Sequence, residues 1–325
     1  MERPRRNRSS SAIRALLAES DLLPRHLIAP LFVKEGEGHE PITSLPGISR
    51  FSIDLAVEEA RRLFQKGIQA VDLFPVIPLE KKDPQGSEAL RKGNLLLRTV
   101  DAIRNRVPDM CVMVDVALDP YTSHGHDGLL DAHHRILNDA TVERLAEMSV
   151  LAAEAGAHVV APSDMMDGRV KEIRKALDQS NFTDVSILSY AAKYASAFYG
   201  PFRDALGSQL QFGDKKSYQL DPANRREALR ESLLDQAEGA DMLLIKPALP
   251  YLDVIAEVKK HTVLPVGAYH VSGEYAMVMA AAQNGWIDGP KALYESLISI
   301  RRAGADFIVT YAAEQVMDYV LKSHD

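Results

Sequence analysis

Eight short runs of apolar residues are spaced along the chain, and most intervals between them carry the periodicity of an amphipathic helix. The runs are nearly continuous rather than alternating, which is typical of parallel strands covered on both faces. They lie at residues 26–33, 70–76, 111–118, 157–164, 186–193, 241–248, 264–271 and 305–312. Eight such strands alternating with helices predict an α/β fold, a (β/α)8 TIM barrel formed by residues 26–325.

Signals at the helix ends support this alternation. The pattern over Leu55–Gln65 stops before Gly67, and the pattern over Thr141–Ala155 stops at Gly156. Prolines are predicted at the first helical position of three later helices, where a missing N–H costs nothing: Pro222, Pro250 and Pro290. A doubly wound open sheet is the alternative fold, but no glycine-rich phosphate loop follows the first strand.

Residues 1–25 form an extended arm without a core of its own. The arm begins with arginines at positions 3, 5, 6 and 8, continues through a short helical pattern and breaks at Pro24. It carries five aliphatic side chains, at Ile13, Leu16, Leu17, Leu22 and Leu23. Leaving these side chains in water is unfavourable, so we expect the arm to dock on another subunit. An alternative is that the arginines tether RNA. Four arginines in an acidic protein are weak support for that alternative.

Composition narrows the possible partners. The chain has 325 residues, a net charge of -7 and a pI near 5.8, which does not favour nucleic acid. Cys111 is the only cysteine, so intramolecular disulfides and four-cysteine zinc sites are excluded, and a reducing, cytoplasmic location fits. No apolar run approaches the length of a bilayer span, so we expect no membrane partner either.

The active site of a barrel of this kind lies at the C-terminal ends of its strands. The polar residues at those ends are Asp115, Asp119, Ser163, Asp164, Lys193, Lys246, Tyr269, Ser272 and Tyr311. Lys193 and Lys246 end two neighbouring apolar strands, where the fold has no need for an ammonium group. Burial and a nearby cation both lower a lysine pKa, so each would activate the other to form a Schiff base with a carbonyl. The alternative is a buried lysine paired with a carboxylate.

The segment at residues 115–128 is dense in carboxylates and imidazoles. His124 and His126, with no third histidine or cysteine close by, are a weak zinc signal. Asp119 and Asp127 supply hard oxygen ligands instead, which suit Mg²⁺. The alternative is a glycine-bearing loop whose polar side chains cap its own backbone, and the spacing alone favours neither interpretation.

Longer blocks of the sequence are more specific. They are DVALDPYTSHGHDG (115–128), APSDMMDGR (161–169), SYAAKYASAFYGPFRDA (189–205), KKSYQLDPANRREALRE (215–231), ADMLLIKPALPYLD (240–253) and AYHVSGEYAM (268–277). In this order they resemble the signature blocks of the 5-aminolevulinate dehydratase, or porphobilinogen synthase, family, over essentially the whole chain. The resemblance implies a lyase of tetrapyrrole biosynthesis that condenses two 5-aminolevulinate molecules into porphobilinogen with loss of two waters.

The resemblance also implies roles for individual residues. Lys246 would form the Schiff base with the first-bound substrate, Lys193 would be the second catalytic lysine, and Asp115 would lie beside the substrate amine. The implied substrate-binding residues are Ser163 near the amine, Arg203, Lys215 and Gln219 at one carboxylate, Ser272 and Tyr311 at the other, and Tyr199, Phe202 and Tyr269 as aromatic walls. The stretch 196–220, which shows no sustained helical period, would close over the site as a lid.

The zinc-dependent members of the family carry three cysteines where this chain has Ala117, Asp119 and Asp127. The resemblance therefore implies the branch that depends on Mg²⁺, with no catalytic zinc. In that branch Glu231 would hold a regulatory Mg²⁺ near a subunit interface. Asp119 and Asp127 would hold an active-site cation.

Helical spacing points independently to the same region. Glu227, Glu231 and Asp235 form an acidic stripe whose repulsion a bound cation would relieve. The alternative is a solvated face neutralised by Arg226 and Arg230.

The resemblance further implies an allosteric homo-octamer, or smaller assemblies, in which the arm wraps a neighbouring subunit. Two other functions compete with the dehydratase. A class I Schiff-base aldolase would need one essential lysine and a phosphate-binding loop after the seventh or eighth strand, and no glycine-rich loop lies there. A non-catalytic scaffold is disfavoured because both lysines occur together with the carboxylate-binding residues.

Overall fold

The computed structural model describes residues 1–323 of the chain, and its centre is a closed barrel of eight parallel strands. The sheet that contains this barrel has ten strands within the described residues: β1 (Leu27–Lys34), β2 (His39–Pro41), β3 (Ser49–Phe51), β4 (Ala70–Val76), β5 (Cys111–Val116), β6 (Val159–Pro162), β7 (Ser186–Lys193), β8 (Met242–Lys246), β9 (Val266–His270) and β10 (Phe307–Thr310). β1 and β4 to β10 pair in parallel in this order, and β10 pairs with β1 to close the barrel. The predicted strands and the (β/α)8 fold are therefore confirmed.

Most of the helices cover the outer face of the barrel. The helices are α1 (Ser11–Leu16), α2 (Ile53–Gln65), α3 (Leu95–Arg106), α4 (Asn138–Glu154), α5 (Arg169–Gln179), α6 (Gly200–Leu206), α7 (Arg226–Glu238), α8 (Leu252–His261), α9 (Ser272–Gln283), α10 (Gly289–Arg302) and α11 (Ala313–Ser323). Of these, α1 lies in the N-terminal arm and α6 lies over the mouth of the barrel. Short 3-10 helices lie at Pro4–Arg8, Pro24–His26, Leu79–Lys81, Ser87–Leu90, Ala197–Tyr199 and Leu249–Tyr251. This layered arrangement buries the strands on both faces, as their continuous apolar runs require.

Most predicted helix ends agree with the structure. Gly156 follows α4 with a φ of +99°, a left-handed conformation that glycine adopts without strain. Pro290 lies in the first turn of α10, where the Asp288 side chain accepts the backbone N–H of Lys291. The expected helix start at Pro222 is wrong, because residues 221–225 form a turn and α7 begins only at Arg226.

A hairpin formed by β2 and β3 was not predicted. Strands of three residues carry too few positions for a hydrophobic pattern to stand out. β3 extends the sheet beside the end of β1, where Phe32 pairs with Arg50 and Val33 with Phe51. The hairpin therefore brings the Arg50 side chain to the catalytic end of the barrel.

The arm is largely exposed within the single chain. Leu16 is 83% exposed and Leu17 48%, whereas Leu22 is buried against the barrel. The arm residues before Leu22 thus leave an apolar surface uncovered, and docking on another subunit stays a prediction. No helix within residues 1–323 combines the length and the apolar character that crossing a membrane would require.

Candidate active site

The two strand-end lysines lie side by side at the mouth of the barrel. β7 and β8 pair so that the Cα of Lys193 is opposite the Cα of Lys246. Both side chains are buried, with exposed fractions of 7% for Lys193 and 4% for Lys246. The register thus brings together two amines that the sequence predicts on neighbouring strands.

The Lys246 amine lies in an aromatic enclosure. Within residues 1–323 it has no hydrogen-bond or ion-pair partner, and its Nζ faces the ring centroids of Tyr190 at 5.3 Å, Tyr199 at 5.3 Å, Phe202 at 4.6 Å and Tyr269 at 4.3 Å. Burial, and next the charge of Lys193, lower the pKa of Lys246 to about 7. A substantial fraction of this amine is therefore neutral, and hence nucleophilic, at neutral pH.

The Lys193 amine lies instead in a network of opposite charges. Its Nζ donates to the carbonyl oxygen of Ser163 and lies 3.5 Å from Asp127 Oδ2. Lys215 Nζ is 2.7 Å from Asp127 Oδ1 and 3.4 Å from Asp119 Oδ2. Burial alone would raise the pKa of Asp127, but the charges of Lys193 and Lys215 lower it to about 2.

Two further carboxyl groups lie inside the barrel near Lys246. Burial, with the charge of Asp119 next, raises the pKa of Asp115 to about 7. Sequence reasoning missed the second one, Asp72, in the middle of β4. Burial, with Asp115 next, raises the pKa of Asp72 to about 8, and Tyr190 Oη donates to Asp72 Oδ2 at 3.3 Å. The available signal was an aspartate inside the apolar run AVDLFPV.

The lid segment, residues 196–220, covers these side chains. The segment contains one α-helix, α6, whose two turns are too short to give the sustained helical period that its sequence lacks. Pro201 lies in its first turn and Gly207 ends it with a φ of +58°. The Phe202 ring enters the barrel mouth, with its centroid 5.8 Å from that of Phe32 and 5.2 Å from that of Phe74.

Backbone contacts fasten α6 over the site. Phe202 N donates to Ser272 Oγ at 3.0 Å, at the first residue of α9. From the β2–β3 hairpin, Arg50 Nε donates to Ala205 O at 2.7 Å and Arg50 Nη2 donates to Asp204 O at 2.8 Å. Ser272, predicted as a substrate contact, thus holds the lid backbone in this arrangement.

The two histidines of the 115–128 segment fasten the other end of the lid. His126 Nε2 lies 3.2 Å from Phe212 O, and His126 Nδ1 lies 3.1 Å from Tyr218 Oη. His126 N donates to His124 Nδ1 at 3.1 Å. Within residues 1–323 no group of three or more His, Cys, Asp or Glu side chains is arranged to hold a metal ion. The imidazoles therefore contact the lid rather than form part of such a group.

The lid leaves little space over the lysines. A cavity of about 20 Å³ remains, bounded by Asp115, Asp119, Ser163, Lys193, Tyr199, Phe202, Arg203, Lys215, Gln219 and Lys246. This volume has room for about one water molecule, so the lid has to move before a substrate can enter. Tyr269 and Tyr311 lie beside this cavity, with their hydroxyl oxygens 3.2 Å apart.

The two predicted cation sites differ in their surroundings. At Asp119 and Asp127 a cation would have to displace the Lys215 ammonium, so this arrangement does not fit a metal ion. The prediction for these two residues stays untested.

At Glu231, by contrast, no ion pair with a lysine or arginine forms within residues 1–323, although Arg135 and Lys216 line the same cavity. Within residues 1–323 its carboxylate has no hydrogen-bond or ion-pair partner, and burial, with Asp235 next, raises its pKa. It lines a cavity of about 520 Å³ together with Asp167 and Glu227. Asp235 turns inward to the buried Arg169, at 3.0 Å. Glu231 therefore fits a hydrated divalent cation better than the active-site pair does.

The chain matches known proteins over nearly its whole length. The family model described as Delta-aminolevulinic acid dehydratase matches residues 1–319. The chain is 52% identical over 317 residues to the delta-aminolevulinic acid dehydratase of Chlamydia pneumoniae, covering 97% of this chain and 95% of that relative. It is also 52% identical to the chloroplastic enzyme of Physcomitrium patens, covering 98% and 74%. The crystal structure of the Toxoplasma gondii enzyme in complex with porphobilinogen matches with a TM-score of 0.97 at 49% identity, covering 99% and 92%. The chain therefore belongs to the delta-aminolevulinic acid dehydratase family.

Proposed function

We propose that Lys246 and Lys193 carry the reaction of this delta-aminolevulinic acid dehydratase, the condensation of two 5-aminolevulinate molecules into porphobilinogen. The observation that supports this mechanism is the buried Lys246 amine, which has no ionic partner in the described part of the chain and a pKa lowered to about 7. Its neutral form attacks the ketone of the first substrate and gives an iminium ion after loss of water.

Lys193 forms the second imine. An iminium ion withdraws electrons, so one bound substrate loses a proton to become an enamine, and the other accepts the new carbon–carbon bond. Arg203 and Lys215 of the lid segment supply cations for a substrate carboxylate. In the closed arrangement Lys215 pairs with Asp127, and a substrate carboxylate would compete for the same ammonium group.

Borohydride reduction tests this mechanism. Reduction in the presence of 5-aminolevulinate, followed by peptide mapping, should attach one substrate-derived group to Lys246 and a second to Lys193 in a smaller fraction of molecules. Omission of 5-aminolevulinate is the control. If neither lysine were modified although the enzyme turned over, the Schiff-base mechanism would be wrong.

We also propose that Glu231 binds a regulatory Mg²⁺. Its carboxylate, which has no ion-pair partner among the residues that the structure describes, lines a polar cavity, and this supports the assignment. After chelation, added Mg²⁺ should restore full activity to the native enzyme and to Glu154→Ala, which removes an exposed carboxylate of α4. Glu231→Ala should retain basal turnover but lose the stimulation. Restoration by Zn²⁺ and not by Mg²⁺ would contradict the proposal.

The exposed arm supports a further proposal, a homo-octamer in which each arm packs on a neighbouring subunit. Replacing Leu16 by Glu would put a charge on the apolar side of α1, so sedimentation should show smaller assemblies for this variant. Unchanged sedimentation would contradict a role for the arm. We propose a cytoplasmic location, which the single cysteine supports.

A further inference from the structure

Asp72 is buried in the interior of the barrel, directly below the catalytic mouth. Its Cα pairs with that of Met113 on β5. Side chains alternate along a strand, so Asp115, two residues beyond Met113, faces the same interior one step closer to the mouth. Asp72 is completely buried and makes no ion pair within residues 1–323. A carboxyl group at this depth is costly unless a charge or a proton compensates it.

The contacts of Asp72 connect it to the aromatic enclosure of Lys246. Asp72 Oδ2 accepts the hydroxyl of Tyr190, whose ring centroid is 5.3 Å from Lys246 Nζ. Asp72 Oδ1 is buried and has no hydrogen-bond partner in the described part of the chain, and the same is true of Asp115 Oδ1. Asp72 thus has one hydrogen bond and one free oxygen on the inner side of the enclosure that holds the reactive amine.

Titratable groups from five other strands interact with the charge of Asp72. Among the described residues they include Asp115 and Cys111 on β5, Tyr190 on β7, Lys246 on β8, Tyr269 on β9 and Tyr311 after β10. Lys246 is the cation among them. Burial raises the pKa of Asp72 to about 8, so the carboxyl is mostly protonated at neutral pH, and a cation fixed at Lys246 would favour its ionised form.

We propose that Asp72 is a positioning residue that becomes the counter-ion of the iminium ion on Lys246. This inference rests on the Schiff-base mechanism proposed above. The Lys246 nitrogen bonds to the ketone carbon, and the carbon–oxygen bond of the resulting carbinolamine breaks as the hydroxyl leaves as water. The proton released by the Asp72 carboxyl balances the proton consumed by that hydroxyl. The buried site then holds one cation and one anion rather than an isolated cation.

The pH dependence of trapping by cyanoborohydride tests this role, because this reagent reduces the iminium ion and not the neutral imine. An opposite charge favours the cation, so removing it should move the alkaline midpoint of Lys246 trapping to lower pH by at least about one unit. Asp72→Asn keeps the shape of the side chain and an acceptor for Tyr190. Asp72→Val replaces the buried carboxyl group with an apolar side chain that suits the strand, so this variant should also fold. Asp101→Asn, on the exposed face of α3, is the matched control and should leave the midpoint unchanged.

A purely structural role for Asp72 predicts a changed melting temperature but an unchanged midpoint. Normal trapping with a midpoint within about 0.3 units of the native value would overturn the proposal, and it would leave the Schiff-base mechanism intact. Absence of trapping at Lys246 in the native enzyme would instead overturn that mechanism. Infrared difference spectra of the native enzyme provide a measurement that needs no folded variant. Addition of 5-aminolevulinate should remove one protonated-carboxyl band, and persistence of every such band would also overturn the proposal.

Discussion

Lys246 and Lys193 are opposite each other in neighbouring strands, yet their surroundings are of opposite kinds. Aromatic rings enclose Lys246, whereas Lys193 lies within 3.5 Å of the Asp127 carboxylate. An enclosure without a fixed anion keeps an amine neutral and reactive, while a carboxylate holds an ammonium in place. This difference supports the division of work that we propose, in which Lys246 would react first and Lys193 would become reactive after the substrate has disturbed its ion pairs.

The largest expected effect comes from exchanging each lysine for arginine, which keeps a long basic side chain but removes the nucleophile. Lys246→Arg should lower kcat by at least about 10⁴-fold and abolish substrate trapping. Lys193→Arg should lose turnover to a similar extent but still trap one substrate on Lys246. Lys260→Arg, on the exposed face of α8, is the control. Equal loss of trapping in both variants would contradict the proposal that Lys246 reacts before Lys193.

Replacing Asp127 tests the ion pairs around Lys193. Asp127→Asn would leave two buried ammonium groups, on Lys193 and Lys215, with less compensating charge. Breaking such a pair on one side should lower the free energy of unfolding by about 3 kcal/mol. Asp214→Asn, at an exposed position of the lid, should change it by less than about 0.5 kcal/mol. Urea denaturation measures both, and equal values for the two variants would contradict the paired network.

The sequence predicted the barrel and the pair of lysines because both depend on local pattern. Eight apolar runs define the strands, and a lysine at the end of such a run is conspicuous. The resemblance to the family supplied the lid and the substrate contacts, but it did not predict that Ser272 and Arg50 fasten the lid backbone. Those contacts join residues distant in the chain, and no local pattern indicates them. Asp72 was missed for another reason, since a single aspartate does not alter the apolar appearance of its strand.

The pH dependence of imine formation would sharpen the contrast between the two lysines. The lowered pKa of Lys246, about 7, means that the reactive neutral amine is lost as the pH falls below that value. The rate of trapping at Lys246 should therefore rise by nearly tenfold from about pH 5 to pH 6, and level off above about pH 8. An unperturbed lysine, with a pKa near 10.4, would keep gaining reactivity to about pH 10. Single-turnover trapping across this pH range measures the rate. A continued rise of the rate above pH 8 would contradict a neutral amine in the aromatic enclosure.

The smallest effect is expected at the lid, which covers both lysines. Tyr218 Oη lies 3.1 Å from His126 Nδ1 and accepts Asp127 N at 3.3 Å. Tyr218→Phe removes these contacts, and a neutral hydrogen bond contributes about 1 kcal/mol, so the closed lid should become about fivefold less populated. KM should rise by up to about fivefold, with kcat within about twofold, because the lysines keep their surroundings once the lid closes. Proteolysis within residues 196–220 should accelerate by a similar factor.

The control is Ser217→Ala, at an exposed neighbouring position, which should change neither KM nor the rate of proteolysis. A fall in kcat without faster proteolysis would mean that Tyr218 acts on the lysines themselves rather than on the lid.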